Sequence, residues 1–407
     1  MGETEPSPQE IDIGRTVRCA VRSAREVWGP DWNPIRGAVA PGRIEILGNH
    51  VDYNGGPVLA GAVDRATVIL SDDADELEVL FADLPGDPVF VLDPSWAEIA
   101  PQSPGSPTSA DYILGTIAQA RMKSRPTRGG RVVIATSVPI GAGMSSSAAL
   151  CVATTLHLND HVLDRVELIY DAQAAENWTG VPCGTMDQTA SVFGHVIRYE
   201  GPEGTHSISP DLKNYRFVVV DSRVKRTLGT SSYAERVQEC AEAVRLLEQH
   251  LNRPVGYLGA LSSDELDLVR DDILPDPLAA RARHVVTEIE RVARGEAAMR
   301  AGDWETFGEL MNASGISSAG DYEISHPQVE ALVAAMREVP GVVGARMMGG
   351  GEGGSTLALL RTDALDDLRE AVSRFCDDRA AASSIVPLSF APGARLLTPS
   401  DIESLAQ

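Results

Sequence analysis

The chain is 407 residues long, with 58 acidic and 35 basic side chains and a formal charge of −23. So acidic a surface repels phosphate backbones and anionic lipid, which argues against nucleic-acid or membrane partners. Hydrophobic residues at 43% suit a packed protein of two or three domains, and no apolar run approaches the ~18–20 residues of a membrane helix.

The opening MGETEPSPQEID is polar and acidic, unlike a secretory signal. Cys19, Cys151, Cys183, Cys240 and Cys376 are widely spaced and never in CxxC, which suits a reducing cytoplasm and argues against structural zinc. Residues 1–11 read as a disordered tail, followed by a helical pattern to about Val27. GAVAPGRIEILG and GPVLAGAVDRATVIL read as two strands joined by the polar loop NHVDYNGG. The charge run Asp72–Glu76 reads as a solvated turn beside an edge strand, and PQSPGSPTSAD as a loop leading into a helix from about Ala110.

RVVIATSVP is a buried-type strand, followed by helical composition in SSSAALCVATTLHL and again from about Asp164 to Asn177. FVVVDS (217–222) reads as a strand and 233–250 as an amphipathic helix. Further helices are expected near 264–271, 279–300, 303–313 and 363–377, with a strand at GGSTLALL. Hairpins mixed with helices predict an α+β fold, divided at PDLKNY into domains of residues 12–214 and 215–407.

Three segments carry chemistry. In PIGAGMSSSAAL (139–150) a strand feeds Gly141 and Gly143, then three serines that open a helix. Glycines let backbone amides approach a ligand, and a helix start presents free N–H groups, so polyphosphate fits, as does a plain serine cap. No GxxxxGK[ST] is present. In APGRIEILGNHVDYNGG (40–56), Arg43, Asn49, His50, Asp52 and Tyr53 crowd together between glycines. They suit sugar hydroxyls, a metal pair or a hydrogen-bonded turn. In GVPCGTMDQ (180–188), Asp187 serves either as a base for a hydroxyl or as a helix cap, and Cys183 reads as packing rather than a nucleophile.

Together with GARMMGGGEGG (344–354), these segments resemble, in order, the signature regions of the GHMP small-molecule kinases, specifically the galactokinase branch. That branch carries APGR…GEHxDYNGG, PxGxGLSSSAA, GxxCGxMDQ and GxRMTGxGFGG. DSRVKRTLGTSSYAERVQEC (221–240) and DYEISHPQVEALV (321–333) extend the likeness along the chain.

The resemblance implies a two-domain GHMP kinase fold with its active site in the interdomain cleft. It also implies transfer of the γ-phosphoryl of ATP to the anomeric hydroxyl of a monosaccharide. Asp187 would stand beside that hydroxyl with Arg43 as its cationic neighbour, favouring the ionised carboxylate and stabilising charge on the attacking oxygen. Gly141, Gly143, Ser145, Ser146 and Ser147 would cradle phosphates. Ser146 and Glu176 would ligate Mg²⁺, and Asn49, His50, Asp52, Gly184 and Tyr233 would contact sugar. ATP and Mg²⁺ are the expected cofactors, and a monomer is the expected state.

Asn49 replaces the branch's Glu, which contacts the C6 hydroxyl, and Arg226, Met348 and Glu352 also depart from its pattern. A uronate about 4 Å from a Glu would be repelled by roughly 4 kcal/mol at an effective dielectric of 20. Asn removes that repulsion and offers an N–H₂ donor. Galactose is therefore the first expectation, galacturonate or another C6-modified sugar the second, and a non-catalytic galactose/ATP sensor the third.

Overall fold

The computed structural model describes residues 8–83, 90–92, 107–127, 129–159, 163–180, 182–224, 232–267, 273–376 and 385–407. The first half runs α1 (Pro8–Trp28), β1 (Arg36–Leu47), β2 (Val58–Ser71), β3 (Leu77–Phe81), β4 (Phe90–Leu92), α2 (Ser109–Met122) and β5 (Gly130–Thr136). There follow α3 (Ser146–Leu158), α4 (Arg165–Trp178), α5 (Met186–Phe193), β6 (Val196–Tyr199) and β7 (His206–Ile208). The second half runs β8 (Tyr215–Asp221), α6 (Ser232–Leu251), α7 (Ser263–Asp267), α8 (Leu278–Ala301), α9 (Trp304–Gly320), α10 (Pro327–Arg337) and β9 (Val342–Met347). It closes with β10 (Ser355–Arg361), α11 (Leu365–Phe375), β11 (Ile385–Leu388), β12 (Arg395–Leu397) and α12 (Pro399–Ala406).

Helix α1 begins at Pro8, so the last four residues of the expected tail are helical, while residues 1–7 lie outside the described residues. Proline is tolerated in a first helical turn because its missing N–H has no partner there anyway. Ile13, Val17, Ala20, Val21 and Ala24 form one buried stripe at helical spacing. It packs on Val39, Val68, Leu70 and Val133. Ile69, between Val68 and Leu70, points the opposite way, into a cluster with Ile113, Ile117, Cys151 and Ile169 from α2, α3 and α4. The strand period of two thus supplies both faces of β2 with apolar partners.

The first sheet has the order β12-β1-β2-β5-β3-β4, with β6 on β2 and β7 on β6. Its pairings are antiparallel apart from β3 with β5. The second is antiparallel, in the order β11-β8-β10-β9. Phe217 and Val219 face Ile44, Ile46 and Leu59 of the first sheet, whereas Val218 and Val220 face the helices on the far side. The second sheet starts at Tyr215, next to the expected division, but β12 pairs with β1 and α12 packs on α1. Residues 395–406 therefore return to the first sheet, burying Leu397 and Ile402 against α1. No helix among the described residues is long and apolar enough to cross a membrane.

Candidate active site

The pairing of β1 with β2 shifts register twice, between Pro41 and Arg43 and between Glu45 and Leu47. Such irregularities re-aim side chains next to functional sites. At the first, a Cβ on Gly42 would lie 2.7 Å from the Met144 carbonyl oxygen, so only glycine lets the 139–145 loop approach this closely. The Arg43 N–H donates to that same carbonyl at 3.1 Å. Strand and loop are thereby fixed to one another by backbone.

From this position Arg43 Nε and Nη2 donate to Asp187 Oδ1 and Oδ2, both at 2.7 Å, and Nη1 donates to the Gly143 carbonyl at 2.6 Å. This two-point geometry is the strong form of an Arg–carboxylate pair. Ser145 Oγ donates to Asp187 Oδ2 at 2.5 Å. Ser145 sits in the left-handed region, φ +53°, as the residue preceding α3, and Asp187 lies in the first turn of α5. The carboxylate's four lone-pair directions thus receive three hydrogen bonds from the described residues, which leave the fourth open.

Ser147 Oγ donates to Glu176 Oε1 at 2.6 Å, and Gln188 Nε2 to Oε2 at 2.6 Å. Burial raises the Glu176 carboxyl above the usual range, against the pull of Ser147. The serine that hydrogen-bonds Glu176 is Ser147; Ser146, which the resemblance implies as a Mg²⁺ ligand alongside Glu176, is its neighbour in the first turn of α3. Burial also drives the Cys183 thiol far up, away from the thiolate a nucleophile needs.

The loop after β1 supplies the other wall. Asp52 Oδ2 lies 3.8 Å from the Cβ position of Gly184. Its pKa is pushed up to about 6, chiefly by removal from water, with Glu45 and Asp187 adding repulsion and the Tyr53 backbone opposing it. His50 is held in the left-handed region, φ +60°, with Nδ1 2.8 Å from Tyr53 Oη, which is 2.8 Å from Tyr322 Oη. The Tyr233 ring lies 5.4 Å from that of His50, and burial, then Asp52 and Asp187, push its pKa up to about 12. An open cavity of about 480 Å³ beside this loop is walled by Asp52, Tyr53, Tyr199 and Tyr257.

Asn49 departs from expectation. It is fully buried, its Nδ2 donating to Glu45 (3.1 and 3.3 Å) and to the Gly349 carbonyl (3.0 Å), while Oδ1 accepts from Ser318 Oγ at 3.0 Å. The N–H₂ donor expected to greet a C6 carboxylate is already committed to protein acceptors. Met348 is also fully buried, its methyl 3.3 Å from the Cβ position of Gly143, and Glu352 N–H donates to the Ile324 carbonyl at 2.7 Å. Arg226 lies outside the described residues. Sequence reasoning misses Glu45, Gln188, Tyr322 and Arg346. A charged Glu between Ile44 and Ile46 in an apolar strand is a signal for the first, since buried acids need partners.

The glycine–serine loop and Asp187 lie inside one family-model match and Arg43 inside another. "GHMP kinases N terminal domain" matches residues 111–195, "GHMP kinases C terminal" matches 296–378 and "Galactokinase galactose-binding signature" matches 25–71. The galactokinase of Roseiflexus sp. (strain RS-1) is 36% identical over 358 residues, 85% of this chain and 89% of that one. The Homo sapiens galactokinase is 37% identical over 371 residues, 88% of this chain and 91% of that one. The structure of Lactococcus lactis galactokinase complexed with galactose superposes with a TM-score of 0.78 at 29% identity, covering 92% of this chain and 98% of that one. A mevalonate kinase shares the fold at a TM-score of 0.62 and 17% identity, covering 87% of this chain and 98% of that one. The chain belongs to the galactokinase family of the GHMP kinases.

Proposed function

We propose that this protein transfers the γ-phosphoryl group of ATP to the C1 hydroxyl of galactose, giving galactose 1-phosphate and ADP. The observation that carries the reading is the paired Arg43 and Asp187 beside the start of α3. The lone-pair direction that the described residues leave open on Asp187 accepts the hydrogen of the C1 hydroxyl. Arg43 holds the carboxylate in place and offsets negative charge growing on the attacking oxygen. General-base help of this kind contributes about 10²–10⁴-fold, and positioning supplies much of the rest.

The first-turn N–H groups of α3 and the amides around Gly141 and Gly143 suit the phosphates. His50, Asp52, Gly184 and Tyr233 would contact the sugar hydroxyls. Mg²⁺ favours few protein oxygens, waters and phosphates, and a buried Glu176 carboxylate with adjacent Ser146 and Ser147 hydroxyls fits that preference. Glu176 and Ser146 would hold the ion, which neutralises phosphate charge when bound.

The alternatives have less support. Asn49 has no N–H left for a uronate, and the Glu45 carboxylate stands directly behind it. A sensor without turnover would be expected to have a damaged glycine–serine loop, whereas Ser145–Ser147 is complete. The test is a coupled ADP-release screen over galactose, galacturonate, N-acetylgalactosamine, L-arabinose and fucose. Turnover is expected to be fastest with galactose. Faster turnover of galacturonate overturns the substrate assignment, and no release with any sugar overturns the kinase reading.

A further inference from the structure

Glu45 and Asn49 stand four residues apart on either side of the turn that opens the sugar-side loop, and each is buried. Glu45 Oε1 accepts from Arg346 Nη2 at 2.5 Å, and both its oxygens accept from the Asn49 amide. Arg346, with no exposed surface, also donates to the Ile46 and Met347 carbonyls, so its charge is tied to both β1 and β9. The Asn49 backbone is held as firmly. Its N–H donates to Glu288 Oε1 at 3.2 Å, and its carbonyl accepts from His284 Nε2 at 2.9 Å.

Strand β9 runs through Met348 into the glycine run at Gly349, where the Asn49 amide takes hold, and Met348 packs beside Gly143 of the phosphate-side loop. One carboxylate, one guanidinium and one amide therefore connect the segment carrying His50 and Asp52 to the segment lying against Gly143. We infer that Glu45, Asn49 and Arg346 form a positioning lock that sets the sugar-side loop relative to the nucleotide-side loop. The inference rests on the galactokinase reading for its kinetic readout.

The lock dictates residue type. Glu45 supplies its single negative charge, balanced by Arg346, and position 49 must donate to two acceptors, Glu45 and the Gly349 carbonyl. An acid at position 49 would face both with lone pairs, which leaves a second buried charge unmatched. A side chain at 49 thus answers to the one at 45.

The experiment is a double-mutant cycle of isosteric changes, Asn49→Asp, Glu45→Gln and the pair together, in the full chain. Displacing reacting groups by a fraction of an ångström is expected to cost each single variant about 10-fold or more in kcat. Galactose KM is expected to rise in both, while ATP KM at saturating galactose stays within about 2-fold. In the pair, the amide introduced at position 45 donates to the carboxylate introduced at position 49, so the cluster again carries a single negative charge, while the Gly349 carbonyl stays without its donor. About 10-fold of the lost kcat/KM should then return. Reduced soluble or active enzyme with both KM values unchanged, or strictly additive losses, overturns the lock. Unfolding midpoints of the same four proteins separate the two readings. If the parent protein releases no ADP with galactose, the galactokinase reading fails, while non-additive midpoints still support the lock and additive ones reject it.

Discussion

Ser145 places its hydroxyl 2.5 Å from Asp187 Oδ2 while its own backbone is held at φ +53°. A left-handed conformation outside glycine is costly and is kept where the surroundings over-determine it. Here it turns the hydroxyl toward the carboxylate that Arg43 already grips. Ser145→Ala and Ser145→Gly both remove that hydrogen bond, and only glycine relieves the backbone. Both variants are expected to lose about 10-fold in kcat, the order of one charge-assisted hydrogen bond. Ser145→Gly should melt no lower than Ser145→Ala. Steady-state kinetics with thermal unfolding check both statements, and unchanged kcat in both variants contradicts the role.

Asp52, with its pKa pushed up to about 6, links binding to pH. The sign follows from the raised value. Its neutral form is favoured in the fold, so the stability it contributes is complete at the most acidic pH and is lost as pH rises from the ordinary carboxylate range through about 6. Acceptance of sugar hydroxyls by the carboxylate reverses the preference for binding. Galactose KM is therefore expected to rise as pH falls below about 6, and Asp52→Asn to remove that limb. A pH-independent KM in the parent protein between pH 5 and 7.5, about one to two units either side of the transition, contradicts it.

Gly42 governs how closely the phosphate-side loop approaches β1. A methyl group there would meet the Met144 carbonyl at 2.7 Å and Val138 Cγ1 at 2.9 Å, closer than contact distance. Overpacking of this kind costs about 1–3 kcal/mol. Because the displaced atoms are backbone of the phosphate-side loop, Gly42→Ala should raise ATP KM by about 10-fold, more than galactose KM. Equal KM values in variant and parent contradict the fit.

Glu288 is fully buried yet lowered to about 2, because Arg291, His284, Arg346 and Ser314 together outweigh the burial that pushes it up. It accepts from the Gly48 and Asn49 N–H groups and from Ser314. Its contribution to stability is complete above the ordinary carboxylate pKa and fades only as pH falls toward about 2. Glu288→Gln leaves Arg291 uncompensated and is expected to cost about 3–5 kcal/mol in urea unfolding at pH 7. A loss below about 1 kcal/mol, the scale of an exposed pair, contradicts the assignment.

Much of this site is legible in the sequence because its parts are local. The strand–loop–strand around Asn49 to Gly56, the serines opening α3 and the Asp187 segment each show in a few adjacent residues. What the sequence hides is long-range pairing. Arg346 meets Glu45 across 301 positions, and Ser318 meets Asn49 across 269, so no periodicity announces either. Asn49 misleads for that reason, its donors being absorbed by partners remote in the chain. The helix over Pro327–Arg337 is missing from the expected elements although Val329, Leu332, Val333 and Met336 recur at helical spacing; His326 caps it ahead of Pro327. The Pro and His that mark such a start read equally as a loop. The return of β12 to β1 is likewise decided by burial of Leu397 and Ile402 against α1 rather than by any local pattern.

The most direct measurement is turnover of galactose by the Asp187→Asn variant, with galactose affinity measured in parallel by calorimetry. The substitution keeps shape and replaces the basic carboxylate with an amide, which cannot take up the C1 proton. The expected result is a kcat about 10²–10⁴-fold below the parent, with galactose affinity within a few-fold of it. Turnover at the parent rate would mean that Asp187 does not handle the C1 hydroxyl, and that the chemistry lies elsewhere in the protein.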